Sequence, residues 1–313
     1  MIVFFGALCA IATGALAYTA APICSKLSLM DIPGDRKLHK QETPLLGGLA
    51  LAIVIMPISF LLFAISSESG SQRSLLLFCL ATFSMALIGM ADDRHSLSAR
   101  NRIILAMLVF GSLASFDPIF NVRLLSFAVP EFELGLAIGP VAVVFTVVCC
   151  VGLVNAVNMA DGKNGLAIGL CLGWLAIIAT RSPEGWGMAI VLLCIGLSVL
   201  LIFNLYGRIF LGDGGSYGFA TAVAIIAIAC YNSPGNHAGR AISADELMIL
   251  FAVPVLDSFR LTFVRLRRGQ SPMAADRDHL HHHLQDRFGW PMGLLIYLVL
   301  AIGIPAVVIV SRG

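Results

Sequence analysis

A backbone inside a bilayer has no water to bond to, so a chain that crosses one must close its hydrogen bonds within helices or within a sealed barrel. This chain meets that constraint ten times. Apolar stretches run over about 2–22, 45–65, 74–91, 103–116, 138–157, 165–180, 187–204, 216–231, 245–264 and 291–310, and all but the ninth are free of charged residues. About 20 apolar residues span a hydrocarbon core as a helix. The stretches are continuous rather than alternating, which argues against the barrel pattern. Charged residues make up only 12% of the chain and hydrophobic ones 58%, against roughly 25% charged in a soluble domain. The expectation is an all-α polytopic membrane protein of about ten transmembrane helices, forming a single integral domain over residues 1–313.

The first basic residue, Lys26, follows the first apolar stretch. A cleaved signal peptide carries its positive charge before the apolar core, so this stretch reads as a retained span. Ten spans then alternate so that Lys26, Arg36, Lys37, Lys40, Arg94, Arg100, Arg102, Lys163, Arg208, Arg265, Arg267, Arg268, Arg277 and Arg287 fall on one side. Only Arg73, Arg123, Arg181, Arg240 and Arg312 fall on the other. The positive-inside rule makes the basic side cytoplasmic and puts both termini outside. The eight cysteines show no metal-ligand spacing and mostly lie in apolar stretches, so they read as small buried hydrophobes. An outer segment with Pro118 and Pro130 offers Asn121–Ala128 and Glu131–Ala137 as a small hairpin.

The polar motifs all lie on the cytoplasmic side. Pro44 to Gly48 turns into a helix and offers backbone N–H groups to an anion, or is simply a basic loop's exit. Asp92 and Asp93 are adjacent carboxylates at a membrane exit, balanced either by Arg94, Arg100 and Arg102 or by a hard divalent cation. The stretch Asn155 to Gly165 carries Asn158, Asp161, Lys163 and Asn164, either as ordinary turns or as a polar site. Gly212-Asp213-Gly214-Gly215-Ser216 opens the eighth apolar stretch, where a helix dipole favours an anion. Asp257 and Arg260, at i and i+3, read as a helical ion pair. His279, His281, His282 and His283 lie within five residues, and either Zn²⁺ or, more in keeping with the neighbouring arginines, a diphosphate would suit them. Motifs this far apart in sequence, all opening on one side, suggest a single site.

Taken together and in this order, Pro44–Gly48, Asp92-Asp93, Asn155-Ala-x-Asn158-x-x-Asp161-Gly-x-Asn164-Gly-Leu166, Gly212-Asp213-x-Gly-Ser216 and Asp276-Arg-x-His279-Leu-His281-His282 resemble the polyprenyl-phosphate N-acetylhexosamine-1-phosphate transferases. The likeness is to the WecA-like bacterial branch more than to the MraY branch, which makes lipid I, and it covers nearly the whole chain.

The resemblance implies an MraY-like fold with its active site on the cytoplasmic face of the bacterial inner membrane. It implies transfer of a UDP-N-acetylhexosamine 1-phosphate group, GlcNAc by default, to undecaprenyl phosphate, with release of UMP at the start of a cell-envelope glycan such as O-antigen. It implies Mg²⁺, or Mn²⁺ in its place, on Asp213 and Asn158. Asp92, Asp93, Asp161 and Asp213 are the expected catalytic carboxylates. Arg102, Asn164, Arg265, His279, His281 and His282 are expected to hold substrate. The partners implied are the UDP-sugar, the polyprenyl phosphate, membrane lipid and a second copy of the chain; no nucleic acid is implied.

Two positions depart from the family pattern. Ser96 stands where a third Asp is common, and Asn164 stands where bacterial members commonly have Asp. A phospho-MurNAc-pentapeptide transferase is the competing enzyme reading. A transporter is the non-enzyme reading, but it would place ionisable residues near mid-membrane and often shows repeated halves.

Overall fold

The computed structural model describes residues 1–33, 41–65, 72–135, 139–183, 185–237, 239–271 and 278–312. Each apolar stretch is helical. Helix α1 (Ile2–Tyr18) bends by 70° at Thr19 into α2 (Ala20–Lys26), where the Thr19 hydroxyl donates back to the Ala15 carbonyl. A two-stranded pair, β1 (Met30–Asp31) with β2 (Thr43–Pro44), leads to α3 (Gly47–Ile65). Then follow α4 (Gln72–His95), α5 (Ala99–Phe116), β3 (Leu124–Ala128), β4 (Glu131–Gly135) and α6 (Gly139–Ala160). Next come α7 (Leu166–Ala179), α8 (Gly187–Leu205), α9 (Gly212–Asn232), α10 (Ala244–Arg267), α11 (Leu280–Phe288) and α12 (Trp290–Ser311).

Among the described residues, eight helices are long and apolar enough to cross a membrane, and nine if α1 and α2 count as one bent span. Helix α7 is apolar but shorter. The chain is thus an all-α, multi-pass inner-membrane protein. The expected hairpin forms, but its first strand starts at Leu124, and Ala137 lies outside the described residues.

Helix α9 is the axis. Every residue from Gly214 to Tyr231 is buried, whereas only 22% of the most apolar stretch of α5, and the same share in α10, is buried. A membrane helix enclosed by other helices gains nothing from apolarity as such; it needs small residues that let backbones approach. Gly214, Gly215 and Gly218 supply that contact with α3 and α4. The glycines of the Pro44–Gly48 turn are spent the same way. The Leu46 and Gly47 N–H groups donate to the Phe210 and Leu211 carbonyls, and Gly47 and Gly48 abut Gly215 and Gly214. This turn is therefore a packing device, not the anion contact that its sequence suggested.

At one end of α9, Tyr231 holds the hairpin, with its hydroxyl accepting from Ser126 N and donating to the Leu124 carbonyl. A capping box of Ser243 and Glu246 starts α10 nearby. The other end of α9, roughly 30 Å away for a helix of this length, carries Asp213. The C-terminal ends of α4 and α6 and the chain entering α11 meet there.

Candidate active site

Adjacent residues on a helix point about 100° apart, and the two carboxylates of α4 take different partners. Asp93 faces α9. Its Oδ1 accepts from Asp213 N at 2.8 Å and its Oδ2 from Gly214 N at 2.9 Å. Those N–H groups have no partner within their own helix, so Asp93 caps α9 from a neighbouring helix. Gly212 makes the approach feasible: its φ is +71°, and a Cβ there would lie 2.8 Å from Asp93 Oδ2. Asp92 faces α5. Its Oδ1 accepts from Leu97 N at 2.7 Å, and its Oδ2 accepts from Arg102 Nη1 and Tyr217 Oη, both at 3.0 Å. Its carboxylate is 4% exposed, a buried charge held by a guanidinium and a phenol. Arg102 is more open and also donates to Tyr217 Oη. Ser96, in the place of the third Asp, is exposed and ends α4 in the left-handed region, with φ +50°.

Asp213, the first-turn acid of α9, meets α6. Asn158 Nδ2 donates to Asp213 Oδ1 at 2.5 Å and to Ser216 Oγ at 3.1 Å. Asp161 follows at the turn after α6, and among the described residues its carboxylate has no hydrogen-bond partner. Burial, then the Asp213 and Asp93 carboxylates, hold its pKa well above the usual carboxylate range. Three carboxylates crowded so closely need a proton or a cation between them. Among the described residues no three His, Cys, Asp or Glu side chains form a metal cluster. A hard cation that keeps most of its waters needs fewer protein donors, typically one or two carboxylates. Asp213 and Asp161, with the amide of Asn158, fit that requirement. Asn158 reaches Asp213 through its nitrogen, and its oxygen is the end that would serve a cation.

The loop after α6 is fixed by residues that the sequence did not single out. Asn204, buried at the end of α8, accepts from Gly165 N at 2.6 Å and donates to the Ile209 carbonyl at 3.0 Å. It thereby ties the Asp161–Asn164 loop to the segment entering α9. Trp290 Nε1 donates to the Asn164 carbonyl. Asn164 also lines a cleft of about 600 Å³ with Pro44, Phe203, Tyr206, Arg208 and Phe210.

The histidine segment closes the site from another side. His279 precedes α11, and its Nδ1 lies 3.0 Å from Asp257 Oδ2. The Asp257–Arg260 pair expected from spacing forms, at 3.0 Å. His281 is buried, and its Nε2 would sit 3.0 Å from a Cβ on Gly162. Burial, then the His282 and His279 rings, push its imidazole down to about 3. His282 tilts against His281 at 4.3 Å between centroids. Arg265 is buried at the end of α10. Asp276 and Arg277 of the sequence motif, and Arg36, Lys37 and Lys40 of the first basic loop, lie outside the described residues. The structure thus gathers Asp92, Asp93, Asn158, Asp161 and Asp213 at one point, with His281 against the Asp161 loop and Arg102 held beside them by Asp92.

Comparison with known proteins fits this geometry. Residues 74–231, from α4 to the end of α9, match the profile of glycosyl transferase family 4. An undecaprenyl-phosphate alpha-N-acetylglucosaminyl 1-phosphate transferase of Yersinia pestis is 30% identical over 282 residues, 86% of this chain and 72% of its own length. The chain belongs to glycosyl transferase family 4. The enzyme of the same name from Escherichia coli K12 is 30% identical over 285 residues, 85% of this chain and 71% of the relative. A probable undecaprenyl-phosphate N-acetylglucosaminyl 1-phosphate transferase of Bacillus subtilis is 27% identical over 289 residues, 90% of this chain and 76% of the relative. The family segment contains Asp92, Asp93, Arg102, Asn158, Asp161, Asn164 and Asp213. The histidine segment lies beyond it.

Proposed function

We propose that this protein transfers N-acetylglucosamine 1-phosphate from its UDP derivative to undecaprenyl phosphate. The observation that carries the reading is the meeting of Asp213, at the start of one helix, with Asn158 and Asp161, at the end of another, in a family 4 chain. A phosphate oxygen of the lipid attacks the β-phosphorus of the donor. The bond from that phosphorus to the bridging oxygen breaks, and UMP leaves with the electron pair. The anomeric carbon–oxygen bond is untouched, so the sugar keeps its configuration. One diphosphate replaces another, so the reaction is reversible.

The chain's own residues divide the work. Asp213, Asn158 and Asp161 hold Mg²⁺, or Mn²⁺ in its place. A bound divalent ion supplies neutralisation of the charge that develops on the diphosphate. Asp93 fixes the start of α9, so that Asp213 is presented in one orientation. Asp92 orients Arg102, whose exposed side reaches the lipid phosphate. Asn164 faces the nucleotide in the cleft, which it lines together with Phe203 and Tyr206. Arg265, His279, His281 and His282 hold the diphosphate and sugar from the other side. Counting the bent first helix and the short α7, ten helices cross the inner membrane, with both termini outside and this site in the cytoplasm, as the basic loops favour.

The test is UMP release by purified protein in detergent, with undecaprenyl phosphate, a panel of UDP-sugars, and Mg²⁺ or chelator. The expected result is UMP that requires both lipid and divalent ion, is fastest with UDP-GlcNAc, and falls to background in Asp213→Asn. Folded protein that releases no UMP with any donor would overturn the reading.

A further inference from the structure

Asp257 lies in the last turns of α10, outside the family-matched segment and outside the carboxylate cluster. Its side chain is 8% exposed and saturated with donors. Oδ1 accepts from Arg260 Nη2 at 3.0 Å, Arg260 Nε at 3.3 Å and Leu280 N at 3.3 Å. Oδ2 accepts from Leu280 N at 3.2 Å and faces His279 Nδ1 at 3.0 Å. An ionised carboxylate can only accept, so His279 must carry a proton on Nδ1. That leaves Nε2 as the nitrogen free to face a ligand, and among the described residues it has no hydrogen-bond partner. The preference runs against the ring's ordinary freedom to place its proton on either nitrogen.

The same carboxylate also anchors the helix. Leu280 N is one of the first N–H groups of α11, which have no partner within the helix, and Asp257 accepts it from across the fold. Arg260 adds a second tie, donating to the Asp278 carbonyl. With that turn fixed, His281 inserts against Gly162, and its Nε2, sealed from solvent, has no partner among the described residues. His279 stacks on His281 with ring centroids 5.4 Å apart and planes 14° from parallel. One buried carboxylate therefore governs both the proton position of His279 and the seating of α11 on the loop that carries Asp161.

We infer that Asp257 is a positioning residue for the reaction: it sets the tautomer of His279 and seats the histidine segment over the Asp161–Asn164 loop. The inference rests on the proposed transferase activity for its kinetic consequence, but its structural half stands apart from it. A purely structural cap on Leu280 N is the plainer account, and it makes a different forecast for Asp257→Asn. Asn serves a helix N-terminus about as well as Asp, so a purely structural Asp257 tolerates the change. If the carboxylate sets the proton, the amide presents a donor to Nδ1 and moves the ring proton to Nε2.

The experiment uses full-length protein labelled with ¹⁵N-histidine, in detergent or bilayers. The His279 signals are assigned by their absence in His279→Gln. The expected result is a protonated Nδ1 in the native chain and an unprotonated one in Asp257→Asn. Hydrogen exchange over 278–288 should stay native in Asp257→Asn and accelerate in Asp257→Ala. In the UMP assay, Asp257→Asn should lose about 10²-fold or more in kcat, with KM within about threefold of native, and Asp257→Glu should recover part of it. A native His279 protonated only on Nε2 overturns the inference whatever the activity. Native kcat in Asp257→Asn overturns its kinetic half. A native chain that makes no UMP, yet shows the expected tautomer and exchange pattern, overturns the transferase reading and leaves the structural assignment standing.

Discussion

The site depends on a backbone contact that one methyl group should break. Gly89 lies on α4 one turn before Asp92 and Asp93. A Cβ there would sit 2.2 Å from the Asp213 carbonyl oxygen, 2.5 Å from its carbon and 2.6 Å from Gly214 Cα. Ordinary contact begins near 3.4 Å. The obstacles are backbone atoms, which cannot rotate aside, so α4 and α9 must part by about 1 Å, at an overpacking cost of about 1–3 kcal/mol. The displaced atoms belong to Asp213 itself, and Asp93 caps the same turn through two hydrogen bonds. A shift of about 1 Å in catalytic geometry costs about 10²-fold in rate. Gly152 is the internal control: it is also helical and meets nothing within 4 Å. UMP release and thermal unfolding of both variants would be measured side by side in detergent. Gly152→Ala should match the native protein, and Gly89→Ala should lose about 10²-fold in activity and melt earlier. Native activity and melting in Gly89→Ala would refute the claim that this contact sets the position of Asp213.

Three further outcomes follow from the same contacts. Arg102→Met leaves the buried Asp92 carboxylate without its cation and should cost about 3–5 kcal/mol of stability, read by denaturation in detergent, whereas Tyr217→Phe, which removes one hydrogen bond to that charge, should cost about 1.5–3 kcal/mol. Asn204→Ala unties the Asp161 loop from the segment entering α9 and should lower UMP release and speed hydrogen exchange over 161–165, while exchange at the far hairpin stays native. The folded His281 titrates near 3 while the unfolded ring keeps its ordinary value of about 6.5. The unfolded chain therefore binds the extra proton between those values. The seating of α11 should be at full stability above about pH 6.5 and lose up to about 1.4 kcal/mol per unit as pH falls below it; His281→Phe should flatten that slope.

The helices were legible because each apolar stretch is long and uninterrupted, a signal that nothing else in the chain imitates. The gathering of polar motifs at one end was legible too, because spans that alternate in direction bring every second loop to the same side. What the sequence hid were long-range partners. Nothing local distinguishes Asp92, which holds Arg102 and Tyr217, from Asp93, which caps α9; the 100° between neighbours on a helix decides it. Pro44–Gly48 looked like an anion contact because a glycine turn before a helix serves ligand and backbone equally well, and here Gly214 and Gly215 take the space. Asn204 and Tyr217 carry no motif, and their partners lie 39 and 125 residues away. The i, i+3 spacing showed Asp257 with Arg260 but could not show that His279 and Leu280 arrive from across the fold.

The central claim is that a phosphorus–oxygen bond, not a carbon–oxygen bond, is broken. The most direct measurement is the fate of ³²P placed at the β-phosphorus of UDP-GlcNAc, incubated with purified protein, undecaprenyl phosphate and Mg²⁺. The account predicts that the label enters the lipid phase in step with unlabelled UMP in the aqueous phase. Label that stays in water as UDP, while the sugar appears on lipid, would contradict it.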